Sequence, residues 1–424
     1  MSAEQPFVVA VAALAAAVFV GSWVVVQRSV DPAREIVDTP VYQSYGEAVA
    51  SRHEVPYRDF RLEYPPGALP AFVAPPLIQP EGSTGYKRAF GWLMGACGAA
   101  TVLLAVATLL ALGAGRARFV AVLAFAALWP LALGPVVLTR FDLWPAALTL
   151  GALAAFVAGR DRLGSGVLGA AVAAKIFPGV LVPLAAVWVW RRRGRRALLA
   201  CTAIFAGVLL AVFLPFFILS PDGVVGSITR QLSRPLQVES LGAAVLVTLH
   251  QFVGLDVHVV SGSGSQNIAG TLADGVAGST TALQLGALVL VWIAFARGPA
   301  NAERLVRYAA LALVVFVALG KVLSPQFMIW LVPIVPLVAG RRGLAASAVL
   351  AVPLVLTQAW FPYHYWDYAL RFDGHVSVLV LARDLVLLAL AGLLAWPTTR
   401  PPHEPARTTA RARPDHTRPA LPRS

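Results

Sequence analysis

Polar positions are scarce along this chain and come in bursts. Between the bursts lie apolar runs of about 20 residues, the length a helix needs to cross the hydrocarbon core of a bilayer. The first spans about residues 6–27. It lacks a basic leading region and a clear small-residue cleavage site, so it reads as a retained helix and not as a signal peptide. Further long runs fall at about 88–112, 118–138, 143–158, 197–219, 281–297, 305–321, 325–340, 343–360 and 376–396. A shorter pair, 164–174 and 178–190, is split around Lys175 and Pro178, because proline removes a backbone donor and interrupts a helix. Residues 67–78, GALPAFVAPPLI, are apolar but short and hold three prolines. They are expected to lie in the interface. The pattern predicts an all-α, polytopic integral membrane protein of about 12 membrane segments.

The polar bursts divide the chain further. Residues 28–87 form a large first external loop, and 31–66 within it carry seven of the 21 carboxylates. A glycine- and serine-rich stretch at 220–280 forms a second external loop. Its apolar piece at 241–254 reads as re-entrant, and its glycines at 262, 264 and 270 read as a flexible loop. The membrane domain covers 1–396. The tail, 397–424, is rich in proline, arginine and threonine and reads as disordered and cytoplasmic.

Composition sharpens this picture. Only 13% of the 424 residues are charged, against about 25% in soluble domains. A net charge of +13 would suggest nucleic acid in a soluble protein, but here the location of the arginines explains it. Fourteen of them fall in alternate short loops: at 116 and 118, 160 and 162, 191–196, 297–307, and 341–342. By the positive-inside rule these loops and both termini are cytoplasmic, which places the carboxylate-rich loops outside the cytoplasmic membrane. Nucleic acid is not an expected partner; the bilayer is. Cys97 and Cys201 lie in or beside apolar runs and suggest neither a disulfide nor a metal site.

Five patches of chemically able residues fall on the external side. They are the first loop, Arg140 to Asp142, Lys175, the segment from Lys321 to Trp330, and residues 361–375 with His364. Ionisable residues at membrane depth usually face a cavity or a partner, so the patches are expected to share one cavity. Carboxylates beside lysine and arginine suit a sugar donor built on a lipid phosphate. The cations would hold the phosphate, and a carboxylate would take the proton of an attacking hydroxyl. There is no phosphate loop, dinucleotide fingerprint or metal-ligand spacing, so no cofactor is expected.

Asp38 and Tyr42, Pro56-Tyr57-Arg58-Asp59-Phe60 and Glu63-Tyr64-Pro65-Pro66 together resemble the first external loop of glycosyltransferase family 87. That family comprises polyprenyl-phosphate-mannose-dependent α-mannosyltransferases of the C-type membrane fold. Gly164 to Pro183 is similar to the same family. So is Lys321-Val322-Leu323-Ser324-Pro325-Gln326-Phe327 with Trp330 and Pro333, a segment that also resembles the first mannosyltransferase of glycosylphosphatidylinositol synthesis. The resemblance implies a C-type glycosyltransferase architecture and an inverting transfer of a mannosyl-type sugar. The donor would be a polyprenyl phosphate and the acceptor a glycolipid or polysaccharide. It implies Asp38 as the catalytic base, with Asp31 as the competitor. Tyr42, Asp59, Glu63, Tyr64, Arg140, Asp142, Lys175, Lys321, Gln326 and His364 are expected to bind donor or acceptor. Some members carry a histidine near the position of Ser324 to Gln326; this chain has none there, and His364 is the nearest in sequence on the external side.

Plainer readings exist for several of these residues. Asp38 as a helix cap, Arg140 with Asp142 as a structural pair at a helix end, and Lys175 snorkelling to the surface each explain one residue. A transporter or lipid flippase is the alternative function. It is expected to show related halves with broken helices at matching positions, and the sequence shows one clear break, at Lys175.

Overall fold

The computed structural model of the protein describes residues 5–31, 36–79 and 82–397. The expected disordered tail lies outside the described residues beyond Pro397. The chain is helical almost throughout. In order, the first elements are α1 (Gln5–Ser29), α2 (Thr39–Ala50), α3 (Leu69–Ile78), α4 (Gly82–Ala111), α5 (Arg116–Leu133), α6 (Val136–Thr139), α7 (Leu143–Val157), α8 (Asp161–Ala174) and α9 (Val182–Leu219). Then come α10 (Pro221–Leu232), β1 (Leu236–Gln237), α11 (Leu241–Val253), β2 (His258–Gly262) and β3 (Ser265–Ala269). The rest is α12 (Thr271–Arg297), α13 (Ala302–Ala318), α14 (Met328–Leu331), α15 (Gly340–Trp360), α16 (Tyr365–Arg371) and α17 (Gly374–Ala395).

Seven helices among the described residues are long and apolar enough to cross a membrane: α1, α4, α5, α9 with the turn before it, α12, α15 and α17. The protein is a polytopic helical membrane protein. α9 is interrupted at Gly194, whose φ of 79° breaks the helix inside the arginine run. The two expected spans at 178–190 and 197–219 are therefore the two arms of α9.

Two expectations change. The expected span at 325–340 is a chain of short turns: a 3₁₀ turn at Pro325–Phe327, then α14, then a 3₁₀ turn at Val335–Leu337. Prolines at 325, 333 and 336 deny it three backbone donors, and its middle is fully buried. The stretch at 220–280 is structured. It holds α10, α11 and a three-stranded antiparallel sheet of order β1-β3-β2. Ser263 and Gly264, both with positive φ, make the two-residue turn that joins β2 to β3. Residues 69–78, the short apolar piece of the first loop, are helical, and the buried Leu69, Ala71, Phe72, Pro75 and Pro76 face α2 and α4.

The arginine loops gather at one end of the bundle. Arg118 bonds Glu303 and the Leu337 carbonyl. Arg193 reaches Asp161 and the Gly159 carbonyl. Arg191 takes the Ala296 carbonyl, and Arg307 those of Leu394, Ala395 and Trp396. Several of these carbonyls end helices, where cations complement the helix dipole. Arg116 lies over the Phe7 ring, so α1 begins at this end.

Candidate functional site

The site is built on the α7–α8 hairpin. α7 has 15 residues and α8 has 14, about 22 and 21 Å at 1.5 Å per residue. Equal arms bring the start of α7 and the end of α8 to the same level. Asp142 stands just before α7 and Lys175 just after α8. Lys175 is extended (φ −160°, ψ 146°), and Pro178 in the following 3₁₀ turn keeps α8 from continuing past it. Lys175 Nζ donates to Asp142 Oδ1 at 2.6 Å. The Trp330 indole N–H donates to the same oxygen at 2.6 Å. Asp142 is fully buried, and its Oδ2 has no partner.

Two residues earlier, Arg140 is extended and 6% exposed. Its Nη1 forms an ion pair with Asp38, and its Nη2 meets the Ile36 carbonyl at 3.4 Å. Asp38 sits at the N-cap position of α2, which Pro40 helps to start. A capping aspartate accepts from its own helix. The Asp38 carboxylate accepts from no backbone N–H of α2, nor does that of Asp142 from one of α7. Both carboxylates are turned instead toward the cations. The plain cap reading of Asp38 is therefore not what the structure shows. The Tyr42 hydroxyl reaches Asp38 Oδ2 at 3.3 Å. A third of the Asp38 side chain is exposed. The competing Asp31 lies exposed just beyond α1.

Aromatic rings wall this corner. Tyr42 stacks on Phe72 at 4.7 Å, and Tyr64 meets Phe141 edge-on at 4.9 Å. Trp330 lies between Phe177 at 4.2 Å and Phe327 at 3.8 Å. The Lys175 ammonium is 4.6 Å from the Phe141 ring centre and 5.2 Å from that of Trp330. Gly67 makes the arrangement possible. A Cβ there would stand 2.6 Å from the Ala173 carbonyl, and the Gly67 carbonyl accepts from the Trp144 indole at 3.0 Å. The loop thus lies flat on the end of α8, which sets Tyr64 beside Lys175.

Burial pushes the Lys175 ammonium down, opposed by Asp142, while Arg140 and Arg234 add to the depression. Burial lowers Arg140 to about 10, with Asp142 and Glu239 opposing, so it stays charged at neutral pH. Burial pushes the Tyr42 phenol up, which keeps it a neutral donor. Lysine has three N–H donors and arginine five. One on Lys175 and two on Arg140 are engaged with described residues, leaving both cations able to receive an anion.

The structure therefore brings together Asp38, Tyr42, Tyr64, Arg140, Asp142 and Lys175. The others stand apart from this network. Asp59 accepts from the Val55 N–H and from Arg58 at 2.8 Å each, on the surface, and Arg58 beside it holds it down to about 2. It closes a turn. The exposed Glu63 carboxylate lies near the tip of the β2–β3 hairpin, and its carbonyl accepts from Ser227 and Gln231. Lys321 bonds the Leu232 carbonyl at 3.0 Å, and its own carbonyl accepts from the Gln237 N–H. It fastens the α10–β1 connection. Gln326 lies in the turn before α14, with no side-chain hydrogen bond among the described residues. His364 pairs with Asp367 at 3.2 Å and is half exposed.

Sequence reasoning missed Trp330 as a ligand of Asp142, although its motif was singled out. It also missed Phe141, Arg234, Glu239 and Tyr365. Glu239 and Tyr365 lie within electrostatic reach of Arg140, and Arg234 within reach of Lys175. A lone Arg-Pro and a lone Glu-Ser ahead of an apolar helix were the available signals. Among the described residues no group of three or more His, Cys, Asp or Glu side chains stands together as a metal site.

No protein-family model matches the chain, and no curated protein matches it. The chain is similar to a solved structure, the crystal structure of ArnT from Cupriavidus metallidurans in the apo state. The identity is 15% and the TM-score 0.45, over 93% of this chain and 77% of that one. A likeness at that level carries no argument about fold or chemistry.

Proposed function

We propose that the protein is a membrane-embedded glycosyltransferase of the C-type architecture. It moves a mannosyl-type sugar from a polyprenyl phosphate to an acceptor hydroxyl on the outer face of the cytoplasmic membrane. One observation carries this reading. Asp38 leaves the backbone of α2 uncapped and pairs with Arg140, and Asp142, two residues after that arginine, holds Lys175, so a partly exposed carboxylate and two cations with uncommitted donors meet in one corner. Lys175 and Arg140 would bind the phosphate by charge-assisted hydrogen bonds. The acceptor oxygen attacks the anomeric carbon as the bond from that carbon to the phosphate oxygen breaks. The hydroxyl proton passes to Asp38, and the phosphate leaves with its negative charge held by the cations. Attack opposite the leaving group inverts the anomeric centre. Asp142 is closed to solvent and already holds Lys175 and Trp330, so it positions the cation and does not act as the base.

The test is transfer of radiolabelled mannose from polyprenyl-phosphate-mannose to an envelope glycolipid fraction in reconstituted membranes. The native protein should transfer, and Asp38→Asn should not, at equal expression and folding. Transfer that survives the substitution moves the base elsewhere, with Asp31 the first alternative. No transfer by the native protein sinks the mannosyl donor.

A second reading, a transporter of an envelope precursor, draws on a second break. The interrupted segments at 175–181 and 325–337 meet where Phe177 stacks on Trp330. Broken helices that meet are a transporter feature. Lipid-sugar flux in vesicles without transfer would favour it.

A further inference from the structure

Residues 234–239 between α10 and α11 are held from several sides. The Gln237 N–H bonds the Lys321 carbonyl and the Val238 N–H bonds the Gln266 carbonyl, each at 3.0 Å. The Tyr368 hydroxyl donates to the Val238 carbonyl at 2.7 Å. Arg383, from the middle of α17, donates to the Glu239 carbonyl. A segment fixed so firmly would be expected to satisfy its side chains, since buried polar atoms rarely go without a partner. It does not. Arg234 Nε and Gln237 Oε1 are buried without one, and so are Arg383 Nη1, Asp384 Oδ2 and Trp360 Nε1 around them. These are five of the ten such side-chain atoms among the described residues. They belong to one neighbourhood. Arg383 bonds Asp384 at 2.8 Å and lies 5.7 Å from the Trp360 ring centre, and Gln237 donates to Glu239.

The chemistry of the set selects a ligand. Three of the atoms are donors and two are acceptors. A phosphate brings negative charge and mostly accepting oxygens, and would meet the Asp384 and Gln237 oxygens badly. A hydroxyl both donates and accepts, so several hydroxyls on one ring can answer the whole set. The set also adjoins the corner described above. Glu239 is within electrostatic reach of Arg140 on one side and Arg383 on the other, and Arg234 is within reach of Lys175. We propose that Arg234, Gln237, Glu239, Trp360, Arg383 and Asp384 form a subsite for the hydroxyl groups of an uncharged sugar or polyol. Its assignment as the acceptor of the proposed transfer rests on that reading; the subsite itself does not. Burial holds the Glu239 carboxyl up at about 7, so near neutral pH it is able to give or take a hydrogen bond.

The same hydroxyl chemistry is offered by ordered water, and the experiment separates the two. The full-length protein in lipid nanodiscs would be titrated with methyl α-mannoside and with myo-inositol, followed by saturation-transfer NMR and thermal melting. Inorganic phosphate would be titrated in parallel. At least one polyol should bind saturably to the native protein and to Asp38→Asn. Its affinity should fall about tenfold or more in Glu239→Gln and in Gln237→Leu. Phosphate binding should be weakened by Lys175→Ala and left alone by Gln237→Leu. No saturable polyol binding by the native protein, or binding that both subsite variants retain, overturns the proposal and leaves water as the occupant. Polyol binding that depends on Glu239 in a protein that transfers no sugar keeps the subsite and removes the transferase reading. Active transfer with an unchanged acceptor KM in Glu239→Gln removes the acceptor assignment.

Discussion

Asp38 and Asp142 invite comparison because they begin alike. Each stands at the N-cap position of a helix, each leaves its helix uncapped, and each is bound to a cation. By contrast Ser240, Asn301 and Asp373 cap their helices in the ordinary way. Forgoing a cap costs about 1 kcal/mol, so both aspartates are used for something else. They differ in access. Each receives two donors on one oxygen, Asp38 from Arg140 and Tyr42 and Asp142 from Lys175 and Trp330, but Asp38 is a third exposed while Asp142 is sealed. A carboxylate that must meet a changing hydroxyl needs the first environment. A carboxylate that must hold a lysine in place needs the second. The comparison teaches that a charge pair's role follows from its exposure, since removing one member of a buried pair strands the other.

The largest expected effect tests the reachable carboxylate. Asp38→Asn should lower sugar transfer by about 10²–10⁴-fold and shift the melting temperature less than any change at Asp142. If Asp38→Asn instead prevents folding while Asp142→Asn only slows transfer, the two roles are reversed.

Next comes the sealed pair. Asp142→Ala should destabilise the protein by about 3–5 kcal/mol, because it leaves a buried ammonium unpaired. The double change Asp142→Leu with Lys175→Met should recover much of that loss, yet transfer no sugar. Melting in detergent, with transfer measured alongside, checks both parts.

Trp330→Phe keeps an aromatic ring beside Phe177 and deletes the indole donor to Asp142, together with some ring packing. A loss of about 1.5–3 kcal/mol is expected, as for other hydrogen bonds to charged groups. A neutral result would mean that Lys175 alone satisfies Asp142.

Glu239 sharpens the comparison from a third side. It is as buried as Asp142, but its carboxylate receives a neutral amide, from Gln237. Burial raises it from 4.5 to about 7, so the folded protein holds a proton that the unfolded chain has released. Its contribution to stability is then fullest below about pH 4.5 and is lost as pH rises toward 7. Thermal melts across this range should fall with pH, and Glu239→Gln should flatten the trend.

The smallest effect is expected at Lys321→Ala. Its bond to the Leu232 carbonyl is exposed, and an intramolecular hydrogen bond contributes about 0.5–1.5 kcal/mol. Melting should drop by a few degrees at most, with transfer within about twofold of native. A large loss of transfer would return Lys321 to the site.

Most of the membrane architecture was legible along the chain, though not the broken segment at 325–337. Lipid contact demands long apolar helices with internally satisfied backbones, so spans announce themselves by length, and arginine loops mark the ends that share a side. The sequence also named Arg140, Asp142 and Lys175, because charges beside apolar runs are conspicuous, while Asp38, Tyr42 and Tyr64 were singled out in the first loop by the family resemblance. What it did not show was which candidates meet. Packing alone paired Asp38 with Arg140 and not with the backbone of its own helix, put Trp330 on Asp142 across 188 residues of sequence, and assigned Asp59 and Lys321 to fastening turns. Only the fold gathered Arg234, Glu239 and Arg383. Pattern along a chain reports what each residue prefers to face, while partnership depends on equal helix arms, a glycine thin enough for close approach, and breaks set by proline. Those are properties of the packed whole.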